Sequence, residues 1–341
     1  LIYPATDETI ARAAQLLAAG NLVGMPTETV YGLAANAWDA SAVLKIFAAK
    51  TRPPSNPLIV HVASIDRLSD AIAWPPTPQV QRQLDAIVDL WPGPLTVVCP
   101  RNERVPNEVT AGRSTVAVRV PAHDVALAIL EACAFPIAAP SANRSKYVSP
   151  THAEHLYGPG GIAEHIAMVI DGGPCRWGVE STIVKLGDEV PTLLRPGAVP
   201  LQELADRFGV DAEAMLLPET IVEGEPLAPG MMKEHYSPRT RLLLLDRMDM
   251  PGPDSPATTD GKYRAGRIAF QPISKDEADG YSAVEILSSS GDLREVAHHL
   301  FAAMRRLDGE LLDVIHCDTC SSGGIGHAIM DRLRRAAARD A

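Results

Sequence analysis

Aromatic side chains are scarce in this chain of 341 residues: four Trp, seven Tyr and five Phe make up 5% of it. Its core must therefore be built from Ala, Val, Leu and Ile. Cysteine is rarer still. The five cysteines, Cys99, Cys133, Cys175, Cys317 and Cys320, are odd in number and thinly spread. That excludes a disulfide framework and fits a reducing compartment, so a cytoplasmic location is expected. No apolar run approaches the roughly 20 residues needed to span a bilayer, which excludes an integral helical membrane protein. The chain opens with no charged segment followed by an apolar one, so no export signal is expected. Basic charge is also lacking. Lys plus Arg is 31 against 42 for Asp plus Glu, a balance of −11. Proteins that grip nucleic acid by its phosphates usually carry the opposite balance, although a local basic pocket for a nucleotide remains compatible. Two familiar motifs are missing: G-x-x-x-x-G-K-[ST] of the P-loop and G-x-S-x-G of many hydrolases. The lone C-x-x-C at Cys317–Cys320, beside His316, has too few neighbours for a zinc site and reads as buried small side chains.

What the chain has in quantity is punctuation, with 29 prolines and 25 glycines, in an ordinary globular mix of 46% hydrophobic and 21% charged residues. Its length suits two domains. Over the first 200 residues strand-like and helix-like segments alternate. Thr6 or Asp7 can cap a helix to about Ala19, and Asp39 a second to about Lys50. Further helices are expected at 64–73, 77–90, 123–134 and 200–208. Strands are expected at 22–25, 58–62, 95–99, 115–120, 136–139, 166–170 and 180–186, with another closing at Arg195. From about 211 to 240 periodicity fades and Pro218, Pro226, Pro229 and Pro238 accumulate, as in a linker. Strands then recur at 241–246, 267–271, 282–287 and 313–317. Helices recur at 292–307 and 326–338, the pattern of a small parallel α/β unit. The expected division is 1–205, a linker at 206–240, and 241–341.

Three segments concentrate polar chemistry. Pro26–Leu33 follows a strand directly and carries Thr27, Glu28, Thr29 and Tyr31, as a ligand site at a strand end would; a capped turn is the competing reading. Lys50-Thr51-Arg52-Pro53-Pro54-Ser55-Asn56-Pro57 places two cations two residues apart on a proline-stiffened loop, suited to an anion; taken alone, a solvated loop is the commoner case. His61 follows on a strand where, on pattern alone, a structural histidine is the commoner case. Ala139-Pro140-Ser141-Ala142-Asn143, then Ser149, offers close backbone approach and neutral donors for phosphate or ribose, or else a simple turn. Arg119 lies on the polar side of an alternating strand and calls for an anionic partner.

The ordered set PTETVYGL, KTRPPSNPLIVHV, TVAVRVPAH, APSANRS, ESTIV and LLRPGA resembles the YrdC-like domain of the threonylcarbamoyl-AMP synthase family over about residues 5–205. The segment Pro229–Pro238 resembles the linker of the long form, and Gly326–Leu333 the end of its Rossmann-like domain. The family's K-x-R and S-x-N signatures stand here as Lys50-Thr51-Arg52 and Ser141-Ala142-Asn143. The resemblance implies a twisted mixed sheet with helices, followed by a smaller parallel α/β domain. It implies that L-threonine, bicarbonate or CO2, and ATP with Mg2+ yield threonylcarbamoyl-AMP and pyrophosphate, for later transfer to tRNA by a separate complex. By motif match, Thr29, His61, Arg119, Ala139 and Ser181 would contact threonine, with Arg119 on its carboxylate. Arg52, Asn56, Thr115, Ser141, Asn143, Ser149 and Arg195 would hold ATP, with Lys50 along the triphosphate. His235 and Tyr236 would close over the nucleotide. Lys50 and Arg52 stand as the catalytic pair. Glu28 is a candidate to assist the metal, whose ligands stay open. Tight tRNA binding and a membrane association are not expected, and a monomer is.

Two other readings compete: a YrdC-like module that binds double-stranded RNA without synthesis, and a carbamoyl-adenylate former of the hydrogenase-maturation type. The intact Lys50, Arg52, Ser141 and Asn143 and the acidic balance argue against the first. The length and cysteine count argue against the second.

Overall fold

The computed structural model describes residues 2–216, 228–230, 234–245 and 264–338. In the first domain the elements run β1 (Ile2–Pro4), α1 (Asp7–Ala18), β2 (Val23–Met25), β3 (Gly32–Asn36), α2 (Ala40–Lys50), β4 (Ile59–His61), α3 (Pro78–Asp85), β5 (Leu95–Pro100), α4 (Asn107–Thr110) and β6 (Thr115–Arg119). They continue with α5 (Asp124–Ala132), β7 (Ile137–Ala138), β8 (Met168–Asp171), β9 (Thr182–Lys185), β10 (Thr192–Arg195) and α6 (Leu201–Phe208). The strands form one mixed sheet in the order β1-β8-β2-β3-β7-β4-β6-β5-β9-β10.

Local chemistry sets the helix ends. Thr6 caps α1 in a reciprocal capping box with Thr9, and the Asp39 carboxylate accepts the Ser41 and Ala42 amides at the start of α2. Strand alternation then distributes the core. Along β3, Leu33 and Ala35 join the large cluster packed by α2, α3 and α6, while Ala34 joins the cluster under α1 and α5. The sheet is thus covered on both faces.

The second domain comprises β11 (Arg241–Leu245), β12 (Ala265–Ala269), α7 (Lys275–Ala278), β13 (Ala283–Ile286), α8 (Leu293–Asp308), β14 (Val314–Asp318) and α9 (Gly326–Ala337). Its four strands are all parallel, in the order β11-β14-β12-β13. Its core does not stop at its own edge. Val30, Tyr147, Val148 and Val179 of the first domain and Tyr236 of the connection share one apolar cluster with Leu300, Phe301 and Met304 of α8.

Several details differ from the sequence reading. The segment 64–73 forms a 3-10 helix over Ile65–Asp70 rather than an α-helix; Ser64 makes no capping bond to extend it. The expected helix at 77–90 breaks after Asp85, leaving a short 3-10 turn at Val88–Leu90. β3 went unread, because Gly-Leu-Ala-Ala-Asn has almost no strand propensity and pairing alone makes it a strand. Residues 206–216, counted with the linker, include the end of α6 and a 3-10 turn at Glu213–Met215, and Met215 is in the large core cluster. Pro218 and Pro226 lie outside the described residues.

Candidate active site

Parallel strands β4 and β6 end together, and their register sets His61 directly beside Arg119. Around this pair four loops converge: 27–30 after β2, 139–141 after β7, Glu180–Ser181 before β9, and Pro229–Gly230 with His235–Tyr236 from the connection. Together they line a partly open cavity, bordered also by Arg52 and Arg195.

The Thr27 hydroxyl shapes the first loop. It donates to Val30 O at 2.6 Å and accepts the amides of Thr29 and Val30 at 3.2 Å each. Thr29 is thereby aimed at Arg119, whose Nη1 donates to Thr29 Oγ1 at 2.9 Å. Arg119 Nε donates to Gly93 O at 3.1 Å, and Nη2 lies 2.6 Å from Glu28 Oε1. The anionic partner that Arg119 called for is therefore Glu28, itself buried. Beside them His61 is 2% exposed. Burial first, and the Arg119 charge second, hold its pKa down to about 3, so the imidazole is neutral at physiological pH. Its Nδ1 is buried and makes no hydrogen bond among the described residues.

The C-terminus of α2 builds the second wall. Thr51 adopts a left-handed conformation at φ 51°, which turns the chain and sends Lys50 inward and Arg52 along the loop. Lys50 Nζ donates to the carbonyls of Ser141 and Asn143. Arg52 Nε and Nη2 donate to Asn56 O at 3.2 Å and Pro57 O at 2.9 Å. Arg195 donates to Ser181 O at 2.9 Å and to Pro229 O at 3.1 Å. The Ser181 hydroxyl sits between Thr96 Oγ1 at 2.8 Å and Arg195 Nη2 at 3.1 Å. Three buried cations are thus held mainly by neutral oxygens, with no carboxylate of the described residues in salt-bridge contact. Burial lowers all three pKa values, that of Arg52 to about 9. A polyanion in the cavity would relieve that desolvation, whereas a neutral ligand would not.

The structure brings Thr29, Arg52, His61, Arg119, Ala139, Ser141, Ser181, Arg195, His235 and Tyr236 into the cavity wall. Lys50 and Asn143 stand behind it. Asn143 Nδ2 donates to Arg144 O and Tyr147 O and fixes the loop that carries Ser141. Asn56 supports Arg52 from behind. Ser149 is buried and donates to Glu180 Oε1 at 2.5 Å. Thr115 is set apart, at the amino end of β6 and four residues before Arg119. Cys317 is buried on β14 and Cys320 half-buried beyond it, remote from this cavity; burial raises both thiols. Sequence reasoning did not pick out Gly230 or Glu180 as lining residues, and named Thr27 and Pro140 only as members of the candidate segments. For Glu180 a signal existed, an acid directly preceding Ser181, but nothing in the pattern said which way it faced.

Fold and site together define a two-domain α/β protein whose mixed sheet presents a cation-walled cavity at its strand ends. Residues 15–197 match the family model Sua5/YciO/YrdC, described as "Telomere recombination", and residues 199–338 match that of the threonylcarbamoyl-AMP synthase C-terminal domain. The threonylcarbamoyl-AMP synthase of Pyrococcus abyssi is 39% identical over 95% of this chain and 92% of its own length. That of Bacillus subtilis is 38% identical over 97% and 93%. The solved structure of P. abyssi Sua5 complexed with L-threonine superposes with a TM-score of 0.87 at 38% identity, covering 99% of this chain and 97% of that one. The chain belongs to the threonylcarbamoyl-AMP synthase family, enzymes of the nucleotidyltransferase type.

Proposed function

We propose that this protein forms L-threonylcarbamoyl-AMP and pyrophosphate from L-threonine, bicarbonate or CO2, and ATP. The observation that carries the reading is the mixed lining of one cavity. Neutral His61 and Thr29 stand with Arg119, as a small zwitterion requires. Arg52 and Arg195, the latter bonded to Ser181, line the same cavity with Lys50 nearby, as a polyphosphate requires. The P. abyssi protein solved with L-threonine supports the first half.

The chemistry asks for no protein nucleophile. The threonine amine attacks CO2 and loses a proton, giving a carbamate. A carbamate oxygen attacks the α-phosphorus of ATP, the phosphorus–oxygen bond to the β-phosphate breaks, and pyrophosphate leaves. The chain's work is to hold two anions in line and offset their charge. Arg119 receives the threonine carboxylate alongside Glu28, and the unpartnered Nδ1 of His61 accepts a threonine hydrogen. Arg52 and Arg195 take the phosphates, and Ser141 borders the nucleotide. His235 and Tyr236, on the connection, close that side.

Mg2+ would enter with the triphosphate. Among the described lining residues Glu180 is the sole carboxylate, and its oxygens are engaged by Ser149 and by Arg332 at 3.1 Å. These residues do not make a metal site.

The product is diffusible, so an enzyme of net charge −11 can serve tRNA modification through a separate transfer complex without gripping tRNA. Among the described residues no helix is long and apolar enough to cross a membrane. The few, odd-numbered cysteines support our proposal that the activity is cytoplasmic. The test is to incubate the protein with ATP, labelled bicarbonate and single amino acids. Pyrophosphate release that needs both threonine and bicarbonate is expected; release independent of either refutes the reading. The RNA-binding alternative predicts a salt-sensitive tRNA complex with no ATP consumed.

A further inference from the structure

Glu180 is an awkward residue for a site that receives a polyphosphate. It lines the cavity with Arg52, Ser141 and Arg195, is 6% exposed, and presents a carboxylate where negative charge must enter. Ser149 gives one of its oxygens a neutral hydroxyl. The compensating charge comes from the other domain. Arg332 on α9 is 0% exposed, with Nε 3.1 Å from Glu180 Oε2. Its Nη1 donates to the carbonyl of Pro196, next to Arg195, and its guanidinium lies 5.3 Å from the centre of the Tyr236 ring. One guanidinium thus ties three parts of the cavity wall: Glu180 in the loop before β9, the turn after β10, and the closing tyrosine. α9 itself is anchored there by Arg335 O, which accepts the His235 amide at 3.3 Å.

We infer that Arg332 is a positioning residue of the nucleotide site, supplied by the second domain, which neutralises Glu180 so that the cavity accepts a polyphosphate. This rests on the reading that the cavity binds ATP. A buried carboxylate facing phosphate in a water-poor site is strongly repulsive, and removing its cation leaves that repulsion unbalanced. Asp331 also meets Arg332, at 3.1 Å from Nη1, and has Arg335 at 2.9 Å as a second partner, so two acids and two arginines form one network in which Arg332 is the cation bonded to Glu180.

The test uses the full chain and MgATP titrated calorimetrically, together with KM for ATP and for threonine, in the unmodified protein, Arg332→Ala, Glu180→Gln and the double variant, each checked for folding by circular dichroism. Arg332→Ala is expected to weaken ATP binding by about ten-fold or more and to raise KM for ATP more than KM for threonine. Glu180→Gln in that background should restore most of the loss, and Glu180→Gln alone should bind ATP at least as tightly as the unmodified protein. If Arg332→Ala does not fold, Arg332→Gln is read the same way. A folded Arg332 variant with unchanged ATP affinity, or a loss that Glu180→Gln does not restore, overturns the inference. So does weaker binding by Glu180→Gln alone, which would make Glu180 itself a ligand of nucleotide or metal. Failure of the unmodified protein to bind ATP overturns the underlying reading, and this inference with it.

Discussion

His61 and Arg119 are register partners at the carboxyl ends of the adjacent parallel strands β4 and β6. The pairing sets a neutral acceptor beside a permanent cation, the two features needed to hold a zwitterion by its amine or hydroxyl and its carboxylate. Parallel pairing is what achieves this, because both strands end at the same level and both side chains reach the same cavity.

Arg119→Lys is therefore expected to raise KM for threonine by about ten-fold or more, since a lysine keeps the charge but cannot serve Thr29, Gly93 and Glu28 with one planar fork. KM for ATP should change little. Arg119→Ala is a poorer probe, because it strands buried Glu28 and costs about 3–5 kcal/mol of stability. Pyrophosphate release measured against threonine concentration decides it, and an unchanged KM would remove Arg119 from the threonine site.

The same histidine predicts a pH dependence of stability. Its native pKa of about 3 lies below the ordinary 6.5. Between those values the unfolded chain binds a proton that the native protein does not. Stability is therefore full above about pH 6.5 and falls on acidification, by about 1.4 kcal/mol per pH unit for this one group. Urea unfolding at several pH values between 7.5 and 5 should show a shallower slope for His61→Gln than for the unmodified protein, the difference growing from near zero at pH 7.5 to close to one proton at pH 5. Equal slopes would mean that His61 is protonated in the native state.

Arg52 should be probed with Arg52→Lys as well as Arg52→Ala. Its guanidinium holds the Asn56 and Pro57 carbonyls, so alanine costs stability of about 1–3 kcal/mol in addition to any loss of phosphate binding. Both variants are expected to abolish adenylate formation, with alanine alone lowering the melting temperature clearly. Turnover by a folded Arg52→Lys near the unmodified rate would show that the loop needs charge and not a fork.

Much of this site could be read from order and spacing. Thr29, Arg52, His61, Arg119, Ser141 and Ser181 each sit in a short motif at a strand or helix end, and the motifs appear in a fixed succession. What could not be read was contact across distance. Glu180 and Arg332 lie 152 positions apart, and only the docking of α9 makes them a pair. Similarly, Lys50 reads as a ligand cation from its place in K-x-R, yet its ammonium is spent on two backbone carbonyls of the facing loop. β3 escaped notice for a different reason: its strand character comes from neighbours on both sides and not from its own side chains.

The domain interface yields the last prediction. Arg305 on α8 is 6% exposed, yet every bond it donates goes to the first domain: Nη1 to His155 O at 3.1 Å and Pro159 O at 3.0 Å, Nη2 to Val148 O at 2.5 Å, Nε to Ser149 O at 3.4 Å. Its guanidinium also lies 4.9 Å from the centre of the Tyr147 ring. Burial lowers its pKa to about 10, still well above neutrality, so the charge persists. Nearby, Tyr147 donates to buried Asp308 at 2.5 Å, again across the two domains. Arg305→Met keeps the apolar stem and removes all four donations. It should weaken docking by about 3 kcal/mol, allowing water to reach some of the freed carbonyls. Calorimetry is then expected to resolve two unfolding transitions where the unmodified protein shows one. KM for ATP should rise as well, because α9 and Arg332 dock as part of the same domain. A single transition at the original temperature would show that the shared apolar cluster around Tyr236 and Phe301 holds the domains together without Arg305.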